Sequence, residues 1–128
     1  MSTDYGLPTT EKAYLGHDNT VTIVPYSDMS ERTNFDMTSV SEVQVSADLT
    51  SSTSSGDAVV TNSTDQPDVV FWSQVGSQWR IHIIVGRITG IAAGTYTLEV
   101  VITDPSYPNG VVLVDTESNL RVEVVGNP

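Results

Sequence analysis

The sequence predicts an all-β fold: a single antiparallel β-sandwich of seven to eight short strands, with an extended arm at its N-terminus. Three observations predict it. Apolar side chains recur at every second position in several short segments, as they do in strands with one dry and one wet face. Clusters of Gly, Pro, Asn and Asp separate these segments. No helical apolar period runs longer than two turns.

Residues 40–49 show the clearest alternation. Val43, Val45, Ala47 and Leu49 are predicted to point inward, and the polar residues between them outward. A polar connection at residues 26–38 precedes this strand, with two apolar side chains expected to fill space beneath it. These are Phe35 and Met37.

The other predicted strands lie on both sides of it. They cover residues 20–24, 58–61, 69–72, 78–85, 95–103, 110–114 and 119–125. Residues 50–56 are a run of Ser, Thr and Gly, which predicts a flexible loop. Residues 104–110 contain two prolines and an Asn-Gly pair, which predicts a turn between strands.

The segment Gly94-Thr95-Tyr96 opens a strand whose apolar face continues through Leu98 and Ile102. An immunoglobulin-type sandwich begins its penultimate strand in this way, and the tyrosine hydroxyl bonds back to nearby backbone. Residues 19–128 are therefore predicted to form one immunoglobulin-like β-sandwich.

That fold assigns expected places to particular core residues. Leu98, with Val43 or Val45, is expected where antibody domains carry their inter-sheet cysteines. Trp72 or Trp79 is expected to be the central aromatic residue. Trp79 shares its strand phase with Ile81 and Ile83, which favours a place in the core over a sugar-stacking platform.

Residues 1–18 show neither a helical nor a strand period. Four large apolar side chains nevertheless interrupt this polar segment: Tyr5, Leu7, Tyr14 and Leu15. A frayed terminus is one interpretation. The other, which we favour, is an arm that orders against a neighbouring subunit and uses these four residues as contact anchors.

Composition narrows the range of functions. The chain has 128 residues, no cysteine and a formal net charge of −11. Such a charge repels phosphate backbones and anionic membranes, so we expect no nucleic-acid or membrane partner. We also expect no secretory signal and no membrane span, because no apolar run of the required kind occurs.

A search for catalytic patterns yields no catalytic and no cofactor-binding residue, and we expect no enzyme. His82 lies on the polar side of its strand, and His17 lies in the unpatterned terminus. Calcium is the one metal alternative left open, because oxygen-bearing side chains cluster near one predicted turn. They are Asp104, Asn109, Asp115 and Glu117, at spacings that match no calcium-loop motif.

Several stretches of the chain resemble a group of short tailed-bacteriophage proteins. One is a strand that ends in tryptophan, Asp68-Val69-Val70-Phe71-Trp72; another is the Gly94-Thr95-Tyr96 strand start. A third is the turn Asp104-Pro105-Ser106-Tyr107-Pro108-Asn109-Gly110-Val111-Val112, and the last is the closing strand Leu120-Arg121-Val122-Glu123-Val124. In outline the chain is similar to the immunoglobulin-like N-terminal domain of phage upper-baseplate proteins.

This resemblance implies a virion structural role as a capsid decoration, neck, tail or baseplate component. It implies synthesis in the host cytoplasm, location in the virion, and other virion proteins as partners. The protein would be a homo-oligomer or be present in many copies in the particle. The alternative is a module that binds a glycan or protein of the host surface through loops at one end of the sandwich.

Overall fold

The structure, a computed structural model, describes residues 2–3, 9–28, 33–49, 59–114 and 120–126. Strands dominate these residues, and helix is limited to one 3₁₀ turn at Val85–Arg87. Within the same ranges, no helix has the length and apolarity needed to cross a bilayer. The strands are β1 (Ser2–Thr3), β2 (Thr9–Tyr14), β3 (Val21–Ile23), β4 (Tyr26–Asp28), β5 (Thr33–Asn34), β6 (Glu42–Leu49), β7 (Val59–Asn62), β8 (Val70–Val75), β9 (Gln78–Ile83), β10 (Gly94–Asp104), β11 (Tyr107–Val114) and β12 (Leu120–Val125).

Two principal sheets hold most of these strands. The smaller sheet has the order β1-β3-β9-β8, and the larger has the order β2-β12-β10-β6-β7, with β11 also paired to β10. A separate hairpin of β4 and β5 occupies the connection between β3 and β6. The predicted all-β architecture is therefore present, and the two sheets carry the apolar rows that the sequence indicated.

The core lies between the two sheets. Val43, Val45 and Ala47 of β6 are fully buried, as predicted, whereas Leu49 at the end of the strand is partly buried and packs against the core. Ile81 and Ile83 of β9 are fully buried as well. Buried residues alternate with more exposed ones along β6, β10 and β12, because successive strand residues point to opposite faces. The predicted pair beneath the long connection is also buried: Phe35 at 7% exposure and Met37 at 0%.

Strand β10 organises the larger sheet. One of its edges pairs with β6 over eight residues in unbroken register. Its other edge is shared, because β12 pairs with residues 94–97 and β11 with residues 100–104. β11 and β12 thus follow each other along the same edge of β10.

The hairpin between β10 and β11 differs from the sequence prediction. Asp104 pairs with Tyr107, so the turn is only Pro105 and Ser106, and β11 begins three residues earlier than expected. The register shifts between Ile102 and Asp104, and Gly110 there adopts a φ of 85°. The Asn-Gly pair therefore forms a β-bulge rather than the turn, because a glycine accepts the positive φ that a bulge requires.

The N-terminal segment contains strands that the sequence analysis did not assign. β2 pairs in parallel with β12 over six residues, and β1 pairs in parallel with β3 of the other sheet. Ala13 of β2 is fully buried, and the Leu15 backbone nitrogen donates to the Val125 oxygen at 2.8 Å. Residues 9–15 thus extend the sheet and the core of their own chain.

Two predictions about aromatic residues have different outcomes. The hydroxyl of Tyr96 donates to the Ala92 carbonyl oxygen at 2.8 Å, which confirms the predicted bond to nearby backbone. Trp72 and Trp79 pack against the core but are only partly buried, so neither is a central core residue. Trp79 has the predicted strand phase, but it lies one residue from the start of β9, where the sandwich opens to solvent.

Candidate functional site

Three connections meet at one end of the sandwich, and Asn34 joins two of them. Its side-chain nitrogen donates to the carbonyl oxygens of Pro25, at 3.0 Å, and Trp79, at 3.2 Å. Its side-chain oxygen accepts from the Trp79 backbone nitrogen at 2.7 Å. The Asn34 amide thus bonds the backbone nitrogen and oxygen of Trp79 as a neighbouring strand would, and it fixes the β4–β5 hairpin against the start of β9.

The β10–β11 hairpin completes this end of the molecule. The rings of Phe35 and Tyr107 lie 6.1 Å apart between centroids, an arrangement in the favourable range for aromatic pairs. Phe35 is buried, whereas Tyr107 is 50% exposed. An open cleft of about 330 Å³ lies here, lined by Asn34, Phe35, Asp36, Ser39, Asp104, Ser106 and Tyr107.

Both carboxylates of this cleft are held by nearby donors. Asp36 accepts hydrogen bonds from the hydroxyl and the backbone nitrogen of Thr38, which lower the pKa of its carboxyl. Asp104 is buried and accepts from the Ser106 nitrogen at 2.8 Å. Each carboxylate therefore caps a turn, as Asp side chains commonly do. The cleft offers shape, an aromatic ring and hydrogen-bonding groups for a contact.

The four residues of the predicted calcium alternative are not seen together as one site among the described residues. Asp104 faces its own turn, and Asn109 is exposed on β11. Asp115 and Glu117 lie outside the described residues. Across the described ranges, no group of three or more His, Asp or Glu side chains could hold a metal ion.

His82 forms a hydrogen-bonded trio across the outer face of the smaller sheet. Its Nδ1 lies 3.1 Å from the Thr22 hydroxyl on β3, and its Nε2 lies 2.8 Å from the Ser73 hydroxyl on β8. The ring also packs on Phe71, at 5.1 Å between centroids. The trio ties three neighbouring strands together through side chains.

The protonation of His82 follows from this setting. Partial burial lowers the pKa of the imidazole, and the nearby Arg80 guanidinium lowers it further. A neutral ring donates through one nitrogen and accepts through the other, so two hydroxyl partners satisfy it. A hydroxyl stands at Nδ1, where a catalytic triad places the carboxylate that orients its histidine.

The predicted contact anchors fall into two groups. Tyr14 and Leu15 are half-buried, and Leu15 packs against the core of its own chain. Tyr14 makes an edge-to-face contact with His17, at 6.5 Å between ring centroids. Tyr5 and Leu7 lie outside the described residues.

Charge differs between the outer faces of the two sheets. The larger sheet presents four carboxylates outward: Glu42, Asp48, Glu99 and Glu123. The described positions on the outer face of β3, β8 and β9 carry no carboxylate, and Arg80 is the charged residue there. Their side chains are Thr22, Phe71, Ser73, Val75, Gln78, Arg80 and His82. Among the described strand residues, these four carboxylates thus lie on the outer face of the larger sheet, together with Lys12 and Arg121, and not on this face.

Comparisons with family models, with curated proteins and with solved structures returned no significant match for this chain. The sites must therefore be interpreted from their own geometry.

Sequence reasoning missed Asn34 and Tyr107 as site residues. Asn34 occurs in a polar stretch where no pattern distinguishes it from its neighbours, and its partners are backbone atoms up to 45 residues away. Tyr107 was included in a predicted turn. A signal did exist for Tyr107, because a tyrosine in a polar, turn-like segment is expected to be exposed, and exposed aromatic residues are enriched at protein interfaces.

Asn34→Ala should loosen the loop end. The change removes three hydrogen bonds and leaves backbone groups of Trp79 unpaired, so we expect a loss of about 1–3 kcal/mol in unfolding free energy. Urea denaturation will measure it. Asn109→Ala, at an exposed site, is the matched control and should change stability by less than about 0.5 kcal/mol. Equal stabilities for the two variants would contradict the linking role of Asn34.

Proposed function

We propose that this chain is a non-enzymatic structural protein of a tailed-bacteriophage virion, built on an immunoglobulin-like sandwich and acting through protein–protein contacts. Its place would be a capsid decoration, neck, tail or baseplate position, after synthesis in the host cytoplasm. Its partners would be other virion proteins, with many copies in each particle. We assign it no catalytic residue and no cofactor.

The strand order supports the immunoglobulin-like part of the proposal. That fold places strands A, B, E and D in one sheet and G, F and C in the other, with an added C′ in its variable type. If β1 and β2 are one split strand A, and β11 and β12 one split strand G, the smaller sheet has the order A-B-E-D. The larger sheet then has the order A-G-F-C-C′. This assignment gives eight strands, within the predicted seven to eight, and leaves β4–β5 as a hairpin between B and C.

The tyrosine at the start of β10 supports the same assignment. In immunoglobulin-type domains a conserved tyrosine near the start of strand F bonds back to the backbone a few residues upstream. Tyr96 occupies the third position of β10 and bonds to Ala92, four residues upstream.

One observation carries the virion role. The Gly94-Thr95-Tyr96 strand start and the hairpin over residues 104–112, which carry the resemblance to phage proteins, are joined in the structure by the single strand β10. β10 ends at the loop end where Asn34, Phe35 and Tyr107 meet. The shared motifs therefore both build the scaffold and position a candidate contact surface.

Contact would work through the physical features that the site shows. Tyr107 offers an exposed aromatic ring on a braced hairpin, and such rigid aromatic anchors supply much of the affinity of protein interfaces. The described outer face of the larger sheet has four carboxylates against two basic residues, Lys12 and Arg121, and Lys12 pairs with Glu123. This excess of acidic groups would favour a basic partner surface and would affect the association rate more than the affinity.

Mass spectrometry of purified particles tests the virion role. We expect peptides of this chain in particles purified by density gradient, at a copy number comparable to that of other structural proteins. A Tyr107→Ala variant should lower incorporation, while Val112→Ala, at a similarly exposed valine, should not. Particles that are complete without the chain would overturn the proposal.

A second function has one observation in its favour. The cleft that contains Phe35, Asp36 and Tyr107 combines aromatic and hydrogen-bonding groups, as a binding site for a host-surface glycan or protein would. A glycan array probed with the purified chain, with and without calcium, should give signals that Tyr107→Ala abolishes. An array without signals would remove the glycan form of this alternative.

A further inference from the structure

The edge strands of the two sheets differ in how they are protected from pairing with other strands. Natural proteins protect sheet edges by short strands, charges, prolines or bulges. β2 carries the exposed Lys12, β7 has four residues, and β11 contains Pro108 and the bulge at Gly110. Each of these edges uses one of the recognised devices.

β8 has none of these devices. Its six residues contain no charge and no proline, and it pairs with β9 through six consecutive partners without a register shift. β8 is the last strand in the order of its sheet, and among the described residues it has no strand on its other side. Two of its side chains, Phe71 and Val75, are exposed large hydrophobics, at 38% and 54%. In a chain with 16 acidic residues, such an uncharged edge is an unexpected feature.

We propose that β8 pairs with β8 of a second copy of this chain, in an antiparallel two-fold arrangement centred on Ser73. The two four-stranded sheets would then form one continuous eight-stranded sheet. Because the interface is isologous, it closes on itself and leaves no further uncharged β8 edge. The inference concerns the isolated chain and does not depend on the virion role.

Strand geometry selects Ser73 as the centre. Directly opposite residues of an antiparallel pair point to the same face of the sheet. Two identical strands related by a two-fold axis meet this condition only when one residue lies directly opposite its own copy, and the axis then runs between these two residues. With Ser73 on the axis, Phe71 of each copy lies opposite Val75 of the other. The exposed apolar side chains of the edge then cover each other, as stabilising cross-strand pairs do.

The charge distribution permits this pairing in spite of the net charge of −11. The described outer face of β3, β8 and β9 has no carboxylate, so no like acidic charges meet beside the axis. Arg80, which pairs with Ser73 on β9, would lie three strand spacings, about 14 Å, from its copy, beyond the range of strong repulsion at physiological salt. Asp68, which precedes β8, would lie roughly 30 Å from its copy, at about 3.3 Å per residue along the strands. That distance is several times the Debye length of about 8 Å at physiological salt.

A single cysteine tests the arrangement, because the chain has none of its own. Opposite residues in antiparallel strands have Cα atoms about 4.5 or 5.5 Å apart, both within the range of a disulfide. Ser73→Cys should therefore oxidise to a disulfide-linked dimer. Val75→Cys is the matched control: it lies two residues off the axis, about 13 Å from its copy.

We expect Ser73→Cys to cross-link at least about tenfold faster than Val75→Cys, because pairing raises the effective thiol concentration. Sedimentation of the unmodified chain should give twice the 13.8 kDa chain mass. Ser73→Lys should shift this equilibrium to monomer, and Val112→Lys, which adds the same charge on β11, should not. A monomeric unmodified chain, or equal cross-linking of the two cysteine variants, would overturn the inference. Either result leaves the virion role to be decided by the particle experiment.

Discussion

Leu98→Ala should remove about 3–5 kcal/mol of unfolding free energy, the largest effect we expect from a single substitution. Leu98 is fully buried at the middle of β10 and pairs with Ala47 of β6. A small partner on the neighbouring strand cannot expand to fill the space, so the substitution leaves a cavity. Guanidinium denaturation should show a lower midpoint with an unchanged slope.

The matched control for Leu98→Ala is Val112→Ala. Val112 is 57% exposed, so its truncation should change the unfolding free energy by less than about 0.5 kcal/mol. A domain of this size has a total stability of about 5–15 kcal/mol, so the leucine variant should be close to unfolding at elevated temperature. A cost below about 1.5 kcal/mol for Leu98→Ala would mean that the space between the sheets is not packed as described.

The central strands were predicted well from the sequence because their apolar and polar residues alternate in step with the buried and exposed faces of the sheet. Val43, Val45 and Ala47 alternate with polar residues, and a strand with one buried face requires this pattern. The bond of the Tyr96 hydroxyl was also predictable, since a small-residue turn before a tyrosine-bearing strand is a local motif. Local patterns of this kind do not depend on distant partners.

The remaining parts depend on partners that the sequence does not mark. β2 has the sequence Thr-Thr-Glu-Lys-Ala-Tyr, and only Ala13 among its described side chains is fully buried, so no alternation appears. It becomes a strand because β12 offers an edge for parallel pairing. Likewise, Asn109 and Gly110 form a bulge because the register of β11 is set by its pairing with β10. Tertiary pairing overrode the local turn signal in this hairpin.

The candidate site follows the same division. The burial of Phe35 was predicted from its apolar side chain within a polar segment. The role of Asn34, in contrast, depends on hydrogen bonds to the backbone of Pro25 and of Trp79, and the second of these partners is distant in sequence. The uncharged edge of β8 is visible in the sequence as Val-Phe-Trp-Ser-Gln-Val, but its meaning depends on its terminal place in the sheet order. The sequence shows which residue types a strand contains, but only the strand order of the folded sheet shows that the strand lies at an exposed edge.

Gly86→Ala should destabilise the attachment of the N-terminal strand. A Cβ at Gly86 would lie 2.2 Å from the Tyr14 carbonyl oxygen and 3.4 Å from the His17 oxygen. Tyr14 cannot move freely, because its oxygen accepts from the His17 nitrogen, and the Gly86 oxygen accepts from the Gly16 nitrogen at 2.8 Å. Main-chain overpacking of this kind costs about 1–3 kcal/mol, and we expect a value near the upper end because both sides are held by hydrogen bonds.

We expect Gly86→Ala to promote local opening of the N-terminal strand more than unfolding of the whole domain. Among the described residues, β2 pairs with β12 alone, whereas β10 pairs with three strands. Relief of the clash should therefore come from opening the β2–β12 pairing. Hydrogen exchange should therefore show faster exchange at the amides of Thr9–Tyr14 in Gly86→Ala, with those of β6 little changed. Gly126→Ala is the control, since its nearest neighbour would be Ala93 at an ordinary 3.9 Å. Unchanged protection of β2 in Gly86→Ala would show that the turn at Val85–Arg87 does not hold the N-terminal strand in place.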